Sequence, residues 1–214
     1  MTKDQKEHWE SIYRDFPERF GTEPSQIGLN ALKMLIEEGA RDVLELGCGQ
    51  GRDTVLFLRE GMKVIALDYS RTCLNQLKDN ARVLGVEGLL QLDEHDIREG
   101  ISLPDDSVDA CFSHMFFTMQ LTEEELAMIF SEALRVLRPG GLNIYSVRNT
   151  EDPHFCRGTH MGEDMWEMNG FVVHYFSEGK VRRLAEGYEI VSIEEFTEGP
   201  LPKRLYQVVL RKPM

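Results

Sequence analysis

The chain switches between a helical hydrophobic period of about 3.6 residues and short apolar runs of strand type. From about Lys3 to Phe20, the residues Trp9, Ile12, Tyr13 and Phe16 mark one face of a predicted amphipathic helix. Leu29, Leu32, Leu35 and Ile36 predict a second helix, which Gly39 stops. Asp42 to Leu46 reads as a buried strand running into a glycine-rich turn, with a helix near Asp53 to Glu60 behind it, ended by Gly61. Lys63 to Leu67 predicts a second strand closed by Asp68. Ser70 is a suitable N-cap for a helix whose Leu74, Leu77, Ala81 and Leu84 share a face, and Gly85 ends it. Leu89 to Leu92 predicts strand three, and Val108 to Phe112 predicts strand four after the turn Leu103-Pro104-Asp105-Asp106-Ser107. Thr122 and Glu125 form a capping box ahead of a helix that buries Leu126, Ile129, Phe130, Ala133 and Leu137. Pro139-Gly140-Gly141 breaks that helix, and Leu142 to Val147 is the fifth strand.

After Arg148 the periodicity loosens. Asn149 to Asn169 is rich in His, Met, Gly and acid, and reads as a loop or lid. Phe171 to Phe176 is β-prone and Gly179 to Glu186 is helical in pattern. Tyr188 to Phe196 and Arg204 to Leu210 read as two closing strands joined through Gly199-Pro200-Leu201-Pro202. Strands alternating with helices predict an α/β fold with a mainly parallel sheet. We expect one domain over residues 1–214, with 1–40 as a helical cap and 148–176 as the lid segment.

Composition narrows the function classes. With 42% hydrophobic and 29% charged residues the chain is globular in type. No apolar run approaches the roughly 20 residues that span a bilayer. The opening Met-Thr-Lys-Asp-Gln-Lys-Glu-His has no apolar signal core, so a cytoplasmic location without membrane attachment is expected. The formal net charge of -13 argues against a nucleic-acid backbone as partner, because such a surface needs clustered Lys and Arg. The nearest approach is the tail set Lys203, Arg204, Arg211 and Lys212. Cys48, Cys73, Cys111 and Cys156 show no metal-type spacing and fit reduced thiols. The histidines show no metal-type spacing either, and no metal is expected.

The chemistry centres on Glu45-Leu46-Gly47-Cys48-Gly49-Gln50-Gly51-Arg52. Glycines here permit a sharp turn and close approach of backbone to a ligand. A dinucleotide fingerprint counted from Gly47 needs glycine where Arg52 stands, so the spacing is E-x-G-x-G-x-G instead. With Asp68 ending strand two, Asp96-Ile97 after strand three and Leu137-Arg138-Pro139-Gly140-Gly141 before strand five, the chain resembles the class I, Rossmann-like, S-adenosylmethionine-dependent methyltransferases from about Trp9 onward. The resemblance implies a three-layer α/β/α sandwich, a mostly parallel sheet with an antiparallel final strand, and S-adenosyl-L-methionine as cofactor. It implies that Glu45 faces the donor's positive charge, that Gly47, Gly49 and Gly51 shape its pocket, and that Asp68 takes the ribose hydroxyls. Asp96 would accept from the adenine amino group while Ile97 packs on the ring. Cys48, Tyr69, Ser70 and Tyr13 complete the donor candidates, Tyr13 and Trp9 being equally readable as core.

Methyl transfer from a sulfonium needs alignment and a dry pocket, and a base only where the acceptor must lose a proton. The catalytic candidates are His114, Arg148, His154 and His174. His114 falls where the family borders the methyl group, and could line the donor, act as base or simply pack. Arg148, His154, Arg157, His160 and His174 could hold an anionic acceptor or form ordinary salt bridges with Glu151, Asp152, Glu163 and Asp164, and Cys156 could be a reactive thiol. Arg52-Asp53-Thr54 and Leu58-Arg59-Glu60-Gly61 are similar to the tellurite-resistance and thiopurine-type branches, which implies a small-molecule acceptor such as a thiol or chalcogen oxyanion. The competing readings are a nucleotide-dependent oxidoreductase, a binding module without turnover, and a protein or RNA acceptor. A monomer or dimer is expected.

Overall fold

The computed structural model describes residues 5–17, 21–199 and 203–214. Among them lie helices α1 (Gln5–Asp15), α2 (Gln26–Glu37), α3 (Arg52–Arg59), α4 (Arg71–Val83), α5 (Glu123–Val136) and α6 (Glu178–Leu184). The main sheet uses β1 (Asp42–Leu46), β2 (Lys63–Asp68), β3 (Leu90–Glu94), β4 (Val108–His114) and β5 (Leu137–Arg148). It is completed at one edge by β10 (Lys203–Arg211) and β9 (Glu189–Glu198). The order is β3-β2-β1-β4-β5-β10-β9, a seven-stranded sheet. β1 through β5 pair in parallel, and β10 runs antiparallel to both of its neighbours, β5 and β9. The expected α/β sandwich with an antiparallel final strand is therefore present.

Burial on both faces explains the near-continuous apolar runs in β1, β4 and β5. One layer packs Ile27, Ala31 and Leu35 of α2, Phe57 of α3 and Leu77 of α4 against Val43, Val64 and Phe112. The other packs Leu126, Ile129, Phe130 and Ala133 of α5 and Val181 of α6 against Leu44, Cys111 and Tyr145. Ser70 caps α4 by accepting the Cys73 N–H, and Thr122 with Glu125 forms the expected capping box. Leu84, placed on the buried face by periodicity, is instead the exposed C-cap of α4.

Several boundaries differ from the expected ones for physical reasons. β4 extends two residues beyond Phe112, because Ser113 and His114 still pair with Tyr145 and Ser146. Pro139-Gly140-Gly141 does not lie outside the sheet. The chain enters β5 at Leu137, bulges opposite Val108 to Ala110, and bonds Gly140 and Gly141 to Lys212. The expected lid is partly a second sheet, β6 (Thr159–His160), β7 (Met165–Met168) and β8 (Phe171–His174), paired antiparallel in that order. Of the expected first helix, Phe16 and Pro17 are not helical, while Lys3, Asp4 and residues 18–20 lie outside the described residues, as does the Pro200-Leu201-Pro202 link. Among the described residues no helix is long and apolar enough to cross a membrane.

Candidate active site

In a parallel α/β sheet the strand C-termini open onto a crevice at the point where strand order reverses. Here the reversal lies between β1 and β4, and a cavity of about 600 Å³ lies there. The turn after β1 is possible only with glycine at its tightest points. Gly47 has φ +68 and a Cβ there would run into the Phe116 ring; Gly51 has φ +82 and its Cβ would meet Leu77. Gly51 opens α3 as its N-cap, so the first N–H groups of that helix face the turn.

The donor-side wall is acidic and ordered along the strand ends. Glu45 is 4% exposed, and its Oε2 accepts the Thr54 hydroxyl at 2.5 Å. Burial, with the Asp53 charge nearby, pushes its carboxyl well above the ordinary range. Asp68 is 8% exposed; it accepts the Gly49 N–H at 3.0 Å and the Ser70 N–H at 2.9 Å. Burial raises its carboxyl too, against the pull of those two backbone donors. Asp96 receives the Arg98 N–H at 3.1 Å and pairs with the Arg98 guanidinium at 2.5 Å, which holds it below the usual range. Ile97 beside it is buried and lines the cavity. Tyr13 reaches over from α1, its hydroxyl within 3.1 Å of where a Gly49 Cβ would stand.

Glu45, Gly47, Cys48, Gly49, Gly51, Asp68, Tyr69, Asp96, Ile97, His114 and Tyr13 all line this one cavity. Ser70 does not. It is fully buried as the α4 cap, and its contribution is to hold Asp68 through its N–H. These residues fit the donor group for a chemical reason. Two raised, buried carboxylates face the cavity with acceptor capacity to spare, as an ammonium and a pair of ribose hydroxyls require.

At the other wall His114 ends β4 with both ring nitrogens engaged. Nδ1 lies 2.8 Å from Ser146 Oγ, and Nε2 lies 3.3 Å from Glu198 Oε1. The Glu198 carboxylate can only accept, so the ring proton sits on Nε2 facing it, and in the neutral ring Nδ1 accepts from the Ser146 hydroxyl, whose oxygen accepts the Met115 N–H at 3.1 Å. Next to it Met115 adopts φ +62, a left-handed conformation that costs about 1–2 kcal/mol and turns Phe116 over Gly47. Glu198 is absent from the sequence expectations. It ends β9, far along the chain, and only the edge position of β9 and β10 brings it here. Its hydrogen bond from His114 holds its carboxyl down to about 2, with Lys203 and Arg52 contributing. Arg52 lies 3.8 Å from the same oxygen, and Lys203 also lines the cavity.

The remaining catalytic candidates are elsewhere and engaged. Arg148 is buried against Asp152 at 2.5 Å and donates to His154 Nδ1 at 3.0 Å. His174 is fully buried, with Nδ1 donating to the Leu121 carbonyl at 2.6 Å and Nε2 accepting from Lys180 at 2.7 Å. The lone pair a general base would need is taken, and burial with the Lys180 charge lowers its pKa. None of Arg148, His154, Cys156, Arg157, His160 and His174 lines the cavity. The salt-bridge reading holds for Arg148, and the free thiols Cys48, Cys73 and Cys111 are buried while Cys156 is exposed.

Comparison with known proteins follows the same geometry. Residues 43–141 match the family model described as "Methyltransferase domain". A probable S-adenosylmethionine-dependent methyltransferase of Mycolicibacterium smegmatis is 37% identical over 115 residues, 51% of this chain and 38% of that protein. The match to each of the first curated relatives spans 35–41% of that protein's length. Among solved structures, the Burkholderia thailandensis 1,6-didemethyltoxoflavin-N1-methyltransferase, with its substrate and S-adenosylhomocysteine bound, superposes with TM-score 0.76. That likeness has 17% identity and covers 98% of this chain and 87% of the other. TehB from Haemophilus influenzae gives TM-score 0.70 at 17% identity, covering 95% and 67% of the two chains.

Proposed function

We propose that this chain, whose residues 43–141 match the model described as "Methyltransferase domain", transfers a methyl group from S-adenosylmethionine to a small-molecule acceptor. The observation that carries the reading is the order of groups along one cavity. Glu45, Asp68 and the Asp96-Ile97 pair follow one another at the ends of β1, β2 and β3, as ammonium, ribose and adenine would require. When bound, the donor supplies an activated methyl group on a sulfonium.

The chain's own residues do the rest. The glycine turn admits the donor's backbone-like end, Tyr13 and Trp9 cover it from α1, and Phe116 closes the side against Gly47. His114, fixed by Ser146, aligns Glu198 at the acceptor wall. For the acceptor itself, the sequence resemblance around Arg52 suggests a thiol or a chalcogen oxyanion. Arg52 and Lys203 at the cavity support an anionic group on it.

The test is calorimetric titration with S-adenosylhomocysteine. Wild type is expected to bind in the micromolar range. Asp68→Ala is expected to weaken binding by about 1–3 kcal/mol, the cost of stranding hydrogen-bond partners. A folded protein that gives no heat with S-adenosylhomocysteine and binds NADH would overturn the reading in favour of an oxidoreductase.

A further inference from the structure

The acceptor wall holds an opposite-charge pair that neither the glycine turn nor the donor groups explain. Glu198 and Lys203 are directly paired across the β9–β10 ladder, and both line the cavity. Directly opposed side chains on one sheet leave Cβ atoms about 4.5–5.5 Å apart. Among the described residues the Lys203 ammonium makes no side-chain hydrogen bond and no ion pair within 4.0 Å, its charge acting on Glu198 only at longer range. Glu198, in contrast, is fixed by His114 at 3.3 Å, with Arg52 at 3.8 Å on the same oxygen, Oε1. A carboxylate anchored through one oxygen and flanked by an uncommitted ammonium is a two-point receptor of mixed sign.

We propose that Glu198 and Lys203 form the acceptor subsite, and that the acceptor is a small molecule carrying an amine and a separate anionic group, the amine at Glu198 and the anion at Lys203. This rests on the methyltransferase reading, keeps its anionic group at Lys203, and puts nitrogen in place of the thiol or chalcogen oxyanion as the atom methylated. The argument for nitrogen over a thiolate or an oxyanion is electrostatic. An amine enters the reaction neutral and leaves it cationic: its lone pair forms the N–C bond, the sulfur keeps the electrons of the broken C–S bond, and the nitrogen gains the positive charge the sulfonium loses. A fixed carboxylate at that point stabilises the developing charge more than the starting amine. A thiolate or a chalcogen oxyanion would meet Glu198 as like charge and would arrive desolvated beside it. Glu198 stays ionised over the working pH range because His114 and the neighbouring cations hold its carboxyl down to about 2, so it orients the amine and is not a base. The ammonium form gives its proton to water before the amine seats, which makes the rate rise with pH through the acceptor's own titration. The Met115, Phe116 and Met119 side of the cavity keeps water from the reacting pair.

The experiment is calorimetry on protein saturated with S-adenosylhomocysteine, titrated with glycine, β-alanine and 4-aminobutyrate to vary the spacing of the two charges. Propylamine, propionate, 3-mercaptopropionate and selenite are the comparison probes. The expected result is that one amino-carboxylate binds at least about ten-fold tighter than propylamine and propionate. Glu198→Gln and Lys203→Gln should each weaken it about ten- to a hundred-fold, the loss of one charge-assisted contact. S-adenosylhomocysteine affinity, read on the same two variants, should stay within about two-fold of wild type. Glu198→Gln preserves shape and Lys203→Gln lies at a strand end, so folding is checked by that donor-product binding. Tight S-adenosylhomocysteine binding with no amino-carboxylate response overturns the subsite and leaves the methyltransferase reading standing. So does preferred binding of 3-mercaptopropionate or selenite that Glu198→Gln does not weaken. Absence of S-adenosylhomocysteine binding overturns both.

Discussion

Asp68 is tied to Gly49: one carboxylate oxygen accepts the Gly49 N–H at 3.0 Å and thereby fixes the tightest part of the turn to the end of β2. The arrangement leaves Asp68 and Glu45 buried, close and both raised in pKa, chiefly by desolvation. A ligand ammonium and ribose hydroxyls favour the ionised forms, so ligand binding lowers those raised values. Protons are therefore released on binding, and affinity climbs as pH rises toward the raised free-state values, then levels off. Calorimetry in two buffers of different ionisation enthalpy checks this. We expect net proton release on S-adenosylhomocysteine binding at pH values above the ordinary carboxylate range. Heats independent of the buffer across that range would remove the carboxylates from the donor site.

Gly51 makes a second prediction. At φ +82 an L side chain is strained, and a Cβ there would collide with Leu77, a buried residue of α4 with nowhere to retreat. Gly51→Ala should destabilise the fold by about 1–3 kcal/mol and shift the turn, so S-adenosylhomocysteine binding weakens with it. Gly61→Ala is the control: its φ is +80 but nothing lies within 4 Å, so only the backbone cost applies. Equal losses of thermal stability and of ligand affinity in the two variants would contradict the close packing at Gly51.

What the sequence revealed follows from where the information is local. β1, β2 and α5 were legible because strand, turn and cap are written within a few residues, as in Asp42–Leu46 followed by three glycines, or Thr122 with Glu125. That Glu45, Asp68 and Asp96 share one cavity was legible because they lie at or just past the C-terminal ends of β1, β2 and β3 in a parallel sheet, whose C-terminal edge is a known address. The acceptor wall was not. Glu198 acquires its role from the antiparallel edge that places β9 and β10 beside β5, and no spacing near it records that contact. The internal partners of the histidine-rich stretch were illegible for a related reason. Type and density suggested an anion site, but His174 and Arg148 spend their polar atoms on internal partners that only tertiary structure supplies.

Asp152 illustrates that internal use. Its side chain is fully buried and accepts from Arg148 Nε at 3.0 Å, Arg148 Nη2 at 2.5 Å, the His154 N–H at 2.8 Å and the Arg204 N–H at 3.0 Å. Burial alone would raise its carboxyl, and these donors hold it below the ordinary range. A depressed carboxylate stabilises the fold above its unfolded pKa of about 3.9, and that contribution fades as pH falls below it. Asp152→Ala strands Arg148 and should cost about 3–5 kcal/mol at neutral pH. Thermal melts should drop by roughly 6–20 °C for a chain of this size. The gap to wild type should narrow below about pH 4. A melt within about 2 °C of wild type would show that the network is dispensable.

Lys180 is the buried cation that pins the small sheet to the main body. It is 2% exposed, and its ammonium lies 2.7 Å from Asp164, 3.1 Å from Glu123 and 2.7 Å from His174 Nε2. Glu123, Asp164 and His174 converge as metal ligands might, with donor atoms within 4.8 Å of one another, and the ammonium occupies that convergence. Lys180→Met keeps the length and removes the charge. Glu123 and Asp164 are partly exposed and can recover water, so the expected loss is about 1–3 kcal/mol rather than the full cost of a stranded buried ion. His174 supplies the sharper reading. Desolvation and the Lys180 charge hold its pKa below the ordinary value, against the pull of the Leu121 carbonyl, Glu163 and Asp164. The neutral ring therefore favours folding above its unfolded pKa of about 6.5, and stability falls as pH drops through that value toward the depressed one. With the ammonium gone, one of the two lowering influences is removed and the pKa moves upward, desolvation still opposing it. The wild-type fall in melting temperature on acidification from about pH 7 to 5 should flatten in Lys180→Met, and the His174 ring resonances should titrate at higher pH. An unchanged pH profile in the variant would mean that Lys180 does not set the charge state of His174.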